Sequence, residues 1–396
     1  MGARAALDVR SRQAAAAGPP HDTGEGGVNS SGPGRAELTI RAIRARAVEV
    51  PMRRPLVTGG GTVGAVPLVL VDLATDGGIT GCAYVICYSR IALQPMAALI
   101  ANLGAVVEND RLAPHDIHHK LLRRMTLLGR QGMTGMALAG IDMACWDALA
   151  RAHGVPLVRL LGGVPRPVPA YNSNGLGLIG PESAAREARE LLAGGFAAIK
   201  VRLGYPSLAE DVAVVRAVRA SVGPSVQLMS DYNQCLDVAE AIRRGHALDA
   251  EGLVWIEEPV RADDYVGHAA IAAALRTPVQ LGENLWGPPD LIKAIAAGAA
   301  DFVMPDAARI WGVSGWLKAA ALAEAHGLPM SSHLFPEISA HLLAVTPTCH
   351  WLEYMDWAEP ILQEPIRIER GHAIIPDRPG HGMAWNEAAV TKYQVA

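Results

Sequence analysis

Val226-Gln227-Leu228-Met229-Ser230-Asp231, Leu253-Val254-Trp255-Ile256-Glu257-Glu258-Pro259 and Pro278-Val279-Gln280-Leu281-Gly282-Glu283-Asn284 decide how this chain folds. Each is a short apolar run that reaches an acid and is followed by helical patterning, as a buried parallel strand and its crossover helix require. Asp231, Glu257 and Glu283 are 26 residues apart both times, about the length of one strand–helix unit. Units that return the chain to the same end of a sheet put all three acids on one rim. In a (β/α) barrel that rim is the C-terminal face, where active sites sit. Three convergent carboxylates repel one another unless a hard divalent cation lies between them, and Mg²⁺, which takes oxygen ligands, is the economical choice.

Outward from this stretch, strand–helix alternation runs from Val168 to about Met355. It offers eight strand candidates: VPAYNS, AAIKVRL, VQLMSD, LVWIEEP, PVQLGEN, DFVMPD, PMSSHLF and HWLEYM. So many units in so short a span favour a compact barrel over an open doubly wound sheet. The expected fold is α/β: a TIM-like (β/α)7β barrel over residues 166–359.

Residues 36–165 read as an α+β capping domain. LTIRAIRARAVEVPM alternates like a strand, and PLVLVDLATDGGITGCAYV reads as two strands joined at Asp76-Gly77-Gly78. Helical patterns follow from about Ile91 to Gly162. Between the first strands, Gly59 to Gly64 form a GxGxxG, but Pro67 and a β-branched run follow where a dinucleotide loop needs a helix. A mobile glycine-rich loop is expected there instead. The tail, 360–396, contains hairpin material that is expected to return to the cap and complete it. Residues 1–35, rich in Ala, Gly, Arg and Ser, read as a disordered extension.

Composition narrows the function. The net charge is −4, from 35 basic and 39 acidic side chains, without a Lys/Arg run or basic–aromatic pattern. This argues against nucleic acid and membrane surfaces as partners. No apolar run approaches the roughly 18 residues of a membrane span. The five cysteines (Cys82, Cys87, Cys145, Cys235, Cys349) are scattered and lack zinc-site spacing, which fits buried free thiols in a reduced, cytoplasmic compartment.

Polar residues stand at the ends of the strand candidates: Lys200 and Arg202, Asp231 and Asn233, Glu257, Glu283 and Asn284, Asp306, His333 and Glu353. One acid after a strand is ordinarily a helix cap or an ion-pair partner. Seven consecutive strands ending in such groups point to catalysis. Asp306, one strand before His333, would fix the imidazole tautomer and raise its basicity. The set suits removal of a proton α to a carboxylate: a divalent metal and Lys200 would neutralise the developing charge, and Glu353, if kept neutral, would donate a hydrogen bond to it.

These residues carry a resemblance. IDMACWDALA, SDYNQCLDV, VWIEEP, LGENLWGPPD, MPDAARI, MSSHLFPEISAHLLA and HWLEYMD resemble the mandelate racemase subgroup of the enolase superfamily, from about residue 40 to the C-terminus. The resemblance implies that Asp231, Glu257 and Glu283 bind Mg²⁺ and that His333 with Asp306 is the base for one face of a small carboxylate substrate. It implies that Glu353 is the hydrogen-bond donor to that carboxylate, with Lys200 its electrostatic partner. Ser173 and Asn233 are implied to contact substrate, and the loop around Thr58 and Val63, with Tyr88, to form the lid. It also implies a homo-oligomer.

Three positions depart from the pattern. Lys-x-Lys is expected on the second barrel strand, its second lysine being the opposite-face base, but this chain has Lys200-Val201-Arg202. An arginine stays protonated to above about pH 12, so neutralising one at pH 7 costs roughly 7–8 kcal/mol. Arg309 stands where the pattern has lysine. Trp311 replaces a glycine and is expected to fill part of the pocket. The leading expectation is Mg²⁺-dependent α-proton abstraction ending in racemisation or epimerisation, which needs a base on each face; the alternative is a one-base reaction. Dehydration of a hydroxy acid or sugar acid can run with His333 alone. The apolar lid suits an aryl or alkyl substrate. A catalytically silent metal-binding barrel is a further reading, and a glycoside hydrolase leaves Lys200 and the Asp306–His333 pair unexplained.

Overall fold

The computed structural model describes residues 38–58 and 61–395. The extension at 1–35 lies outside them, as do Gly59 and Gly60. Strands β1 (Ile40–Thr58), β2 (Gly61–Thr75) and β3 (Thr80–Ile86) form an antiparallel sheet in that order. The expected loop around Thr58–Val66 is instead strand: the β1–β2 ladder continues through Leu56↔Val63 and Val57↔Thr62 to Thr58↔Gly61. Glycines signal turns locally, but the apolar and β-branched residues between them here found cross-strand partners.

Helices α1 (Leu93–Val107), α2 (Pro114–Arg124) and α3 (Met133–His153) follow. The segment Arg90–Val107 is, by length and hydropathy, apolar enough to cross a membrane, which corrects the expectation that no run is long enough. Here it lies in the cap, with Leu93, Met96, Ile100, Leu103 and Val107 buried at helical spacing. Ile100→Ala would cost about 2–5 kcal/mol, the usual penalty for a cavity in such a core. Helix α3 is buried along most of its length, between the sheet and the barrel.

The barrel is built from parallel strands β4 (Val168–Asn172), β5 (Ala198–Arg202), β6 (Gln227–Asp231), β7 (Ile256–Glu257), β8 (Val279–Leu281), β9 (Phe302–Val303) and β10 (Leu352–Tyr354). Neighbours pair in sequence order from β4 to β9, and β10 pairs β4 to close the ring. The seventh position is held by Met330, which bridges Val303 on one side and Cys349 on the other. Helices at Pro181–Leu192, Leu208–Val222, Val238–Leu248, Tyr265–Ala274, Pro288–Ala297, Gly312–Ala325 and Pro336–Ala344 complete the (β/α)7β pattern.

The tail does more than return to the cap. Strands β11 (Arg367–Glu369) and β12 (His372–Ile374) extend the barrel sheet, β12 pairing antiparallel with β4, because the edge of β4 is open at Val168 and Pro169. Beyond them the chain reaches the cap, where Trp385 donates to Asp72 (2.6 Å) and Glu387 pairs with Arg46. Cys82, Cys87 and Cys145 are buried free thiols as expected, but Cys235, in the turn after β6, is exposed.

The β1–β2 arm is pinned to the barrel. Leu178 N–H donates to the Val57 carbonyl (2.9 Å), and a Cβ on Gly177 would lie 2.4 Å from that same oxygen, so only glycine allows the approach. Arg53 reaches Glu359 (3.0 Å) and Asp356 (3.5 Å), while Arg54 reaches Glu187 (2.9 Å) and Glu190 (3.0 Å).

Candidate active site

Parallel register assembles the acids. Asp231 pairs with Glu257 across β6 and β7, and Arg202 with Asp231 across β5 and β6. Glu283 follows β8 by two residues. One oxygen from each of Asp231, Glu257 and Glu283 lies within 4.8 Å of the others. The donor set is oxygen only, and burial of Asp231 and Glu257 leaves their charge short of solvent compensation. The second Glu257 oxygen is held by the Trp255 indole N–H (3.0 Å), so the first is turned toward the cluster. This set fits a hard divalent cation.

Lys200 is the cluster's own cation, with Nζ at 2.6 Å from Glu257, 2.9 Å from Glu353 and 3.2 Å from Asp231. Burial opposes its charge, but Glu257, Glu353 and Asp231 outweigh it and hold its pKa well above the ordinary lysine value. Lys200 is therefore a fixed positive charge, not a base. Burial, reinforced by Asp231, Glu353 and Glu283 against the pull of Lys200, lifts Glu257 well above the usual carboxyl range. One ammonium does not balance the acids around it.

Asp306 follows β9, and a parallel bridge aligns it with His333. His333 Nδ1 lies 2.7 Å from Asp306 Oδ2, leaving Nε2 directed at Glu283 (3.3 Å) and Glu353 (3.8 Å). Burial lowers the His333 pKa, yet Glu283, Glu353 and Asp306 prevail and raise it to about 9. The next two residues, Leu334 and Phe335, take left-handed φ of 51° and 50°, a backbone that bends the chain at the dyad.

Glu353 differs from the neutral donor that was expected. It accepts from Ser173 Oγ (2.7 Å) and Leu334 N–H (3.0 Å) and pairs with Lys200. Burial favours its neutral form, but Lys200, His333 and Ser173 overcome it and hold its pKa well below the usual range. With its donors in place, Glu353 is an ionised acceptor.

Arg202 is consumed by the loop after β4: one terminal nitrogen donates to the carbonyls of Ser173 (2.5 Å) and Gly175 (2.9 Å), the other to Ser173 Oγ (2.9 Å). Asn233 donates to Asp231 (3.0 Å), so it touches the metal site through its acid. Arg309 donates to the Glu283 carbonyl (3.0 Å) and to Asn284 Oδ1, and stacks on Tyr88 (4.2 Å). Thr58 and Val63 sit at the end of the β1–β2 ladder, with Val63 40% exposed. Trp311, five residues after Asp306, is buried. Its left-handed backbone (φ 74°) turns the indole onto Gly287, and its N–H donates to the Arg130 carbonyl (3.1 Å).

Glu258 was missed as a site residue. It is buried behind Glu283, takes a 2.6 Å hydrogen bond from Asn284, and is lifted to about 8 by burial and the Glu283 charge. The doubled acid before Pro259 was its only signal. A second buried cluster, Cys82, Asp147 and His381, is already satisfied: Asp147 accepts from the Cys82 and His381 amides (both 2.9 Å) and from Arg151 (2.6 Å). It clamps the tail to the cap.

Residues 40–162 match the mandelate racemase/muconate lactonizing enzyme N-terminal domain, and residues 183–389 the enolase C-terminal domain-like family. The chain is 39% identical over 280 residues to the L-talarate/galactarate dehydratase of Salmonella typhimurium, covering 70% of each. It is 46% identical to an enolase from Bradyrhizobium whose crystal structure holds magnesium and mandelic acid (TM-score 0.88; 91% of this chain, 99% of that one). An enolase from alpha-proteobacterium bal199 with bound magnesium is 44% identical (TM-score 0.89; 90% and 100%). Cap and barrel are thus both accounted for, and the chain belongs to the mandelate racemase/muconate lactonizing enzyme family of the enolase superfamily.

Proposed function

We propose that this enzyme, with Mg²⁺ held by Asp231, Glu257 and Glu283, removes the α-proton of a hydroxy carboxylate from one face only, with His333 as the single base, and resolves the product by dehydration. The observation that carries this reading is Arg202. On the strand where a second base would stand, its guanidinium is spent on two backbone carbonyls and Ser173 Oγ. Magnesium, when bound, supplies the positive charge that makes a proton beside a carboxylate acidic enough to remove. Lys200 offers a second charge to the substrate carboxylate, and Asp306 holds the Nδ1 proton of His333, so that in the neutral imidazole Nε2, on the side facing Glu283, is the basic nitrogen. His333 Nε2 takes the α-proton. The electron pair left at that carbon expels the β-hydroxyl, which departs as water with the proton returned by His333, and the resulting enol ketonises to a 2-keto acid. Similarity to the Salmonella dehydratase supports a polyhydroxy acid as substrate.

Racemisation is the second reading, favoured by the apolar lid and by mandelic acid in the Bradyrhizobium structure. Incubation in D₂O with galactarate and with each mandelate enantiomer, followed by NMR and a 2-keto acid assay, separates the two. Exchange from one face with keto acid formation is expected. Equal exchange from both mandelate enantiomers would overturn the single-base reading. Family resemblance and the buried thiols support a cytoplasmic homo-oligomer, which sedimentation and fractionation test.

A further inference from the structure

Tyr88 was expected to be a wall of the substrate pocket, but its hydroxyl goes elsewhere. Strand β3 ends at Ile86, and Cys87 keeps one more sheet bond, to the Pro67 carbonyl (2.8 Å). Tyr88 then adopts φ 56°, and the chain leaves the sheet in a tight turn closed by Ser89 N–H on the Cys87 carbonyl (2.6 Å). A non-glycine residue holds this conformation only when its surroundings over-determine it. Two contacts do so. The ring lies 4.2 Å under the Arg309 guanidinium, and the hydroxyl donates to Asp306 Oδ2 at 2.9 Å.

That oxygen is also the one facing His333 Nδ1 at 2.7 Å. The other Asp306 oxygen accepts the Ala308 and Arg309 amides, at 2.8 and 3.0 Å. A carboxylate oxygen has two lone pairs, so all four positions on Asp306 are filled, three by the barrel and one by the cap. The two amides fix the plane of the carboxylate. Tyr88 and His333 then share Oδ2, which admits no water and accepts only N–H from the imidazole.

We infer that Tyr88 is a positioning residue: by completing the Asp306 shell it fixes the carboxylate oxygen that faces His333 Nδ1, so that docking of the cap and placement of the base are one event. The inference rests on His333 being the base. A residue that only lines the pocket would act on substrate affinity, whereas one acting through Asp306 acts on the proton-transfer step.

The test is Tyr88→Phe in the full-length, magnesium-loaded enzyme; the variant keeps the ring and its stack on Arg309. The far-downfield Nδ1 proton of His333, identified by its loss in His333→Asn, is followed by NMR without substrate. Tyr88→Phe is expected to move it, because Oδ2 then serves the imidazole alone. With galactarate or mandelate in D₂O, kcat for α-proton exchange is expected to fall roughly 10–100-fold, the usual cost of losing a partner that orients a site residue, with KM little changed. An unmoved resonance, or a loss confined to KM, would overturn the inference. The resonance is read without turnover, so failure of both probes as substrates would count against the proposed reaction and leave this test standing.

Discussion

Arg202 and Ser173 are joined twice, through the Ser173 carbonyl at 2.5 Å and its hydroxyl at 2.9 Å, and that hydroxyl in turn donates a hydrogen bond to Glu353 at 2.7 Å. An arginine two residues from Lys200 thereby orients the acid that Lys200 also binds. Its shape matters as much as its charge, because a planar fork spans the carbonyls and the hydroxyl together.

Arg202→Lys is therefore expected to cost stability while restoring an ionisable amine to the second face. A lysine has one nitrogen for three acceptors, and leaving buried acceptors short costs about 1–3 kcal/mol, read as a lower urea midpoint. In D₂O, exchange from the face opposite His333 should appear or increase. If it does not, Arg202 is not what confines exchange to one face.

His333→Asn should abolish exchange from its own face, a loss of at least about 100-fold, since a positioned acid–base group contributes 10²–10⁴-fold. Asp306→Asn should lower the same exchange in a folded protein, as judged by circular dichroism. Exchange persisting in His333→Asn would remove it as the base.

Proton release should accompany metal binding. In the metal-free chain His333 is raised to about 9 and Glu258 to about 8, so the folded state binds more protons than the unfolded one. The contribution of His333 to stability is fully present below its unfolded value of 6.5 and is lost as pH rises through about 9. For Glu258 the loss runs from 4.5 to about 8. Metal-free protein should thus melt lower as pH rises across this range, and Mg²⁺ should raise the melting temperature most at the alkaline end, releasing protons as it binds. Calorimetry in buffers of different ionisation enthalpy measures the release; a pH-independent affinity would contradict it.

One divalent ion per chain is expected by elemental analysis. The Cys82–Asp147–His381 cluster is filled by Arg151 and backbone amides, which leaves it no open ligand position. Asp147→Ala should leave the magnesium content unchanged but destabilise the fold by about 1–3 kcal/mol, because it leaves the buried Cys82 and His381 amides without their acceptor. A second ion lost in that variant would show the cluster to be a metal site.

What the sequence determined by itself was the barrel and its rim. A 26-residue repeat of apolar run, acid and helix is local information, and it located Asp231, Glu257 and Glu283, while the polar ends of the later strand candidates located Asp306 and His333, without any contact known. Local signals misled at the tip of a hairpin: glycines near Thr58 read as a loop, yet neighbouring residues such as Leu56 and Val63 pair across it and make that segment a ladder. Only the tertiary structure decided what each polar group does. Tyr88 meets Asp306 across 218 residues, and Ser173 meets Glu353 across 180. Such partners set whether a carboxyl is charged, whether an arginine is spent on backbone, and which imidazole nitrogen faces Asp306. Those states come from hydrogen bonds and charges a few ångströms away, and separation along the chain says nothing about distances of that size.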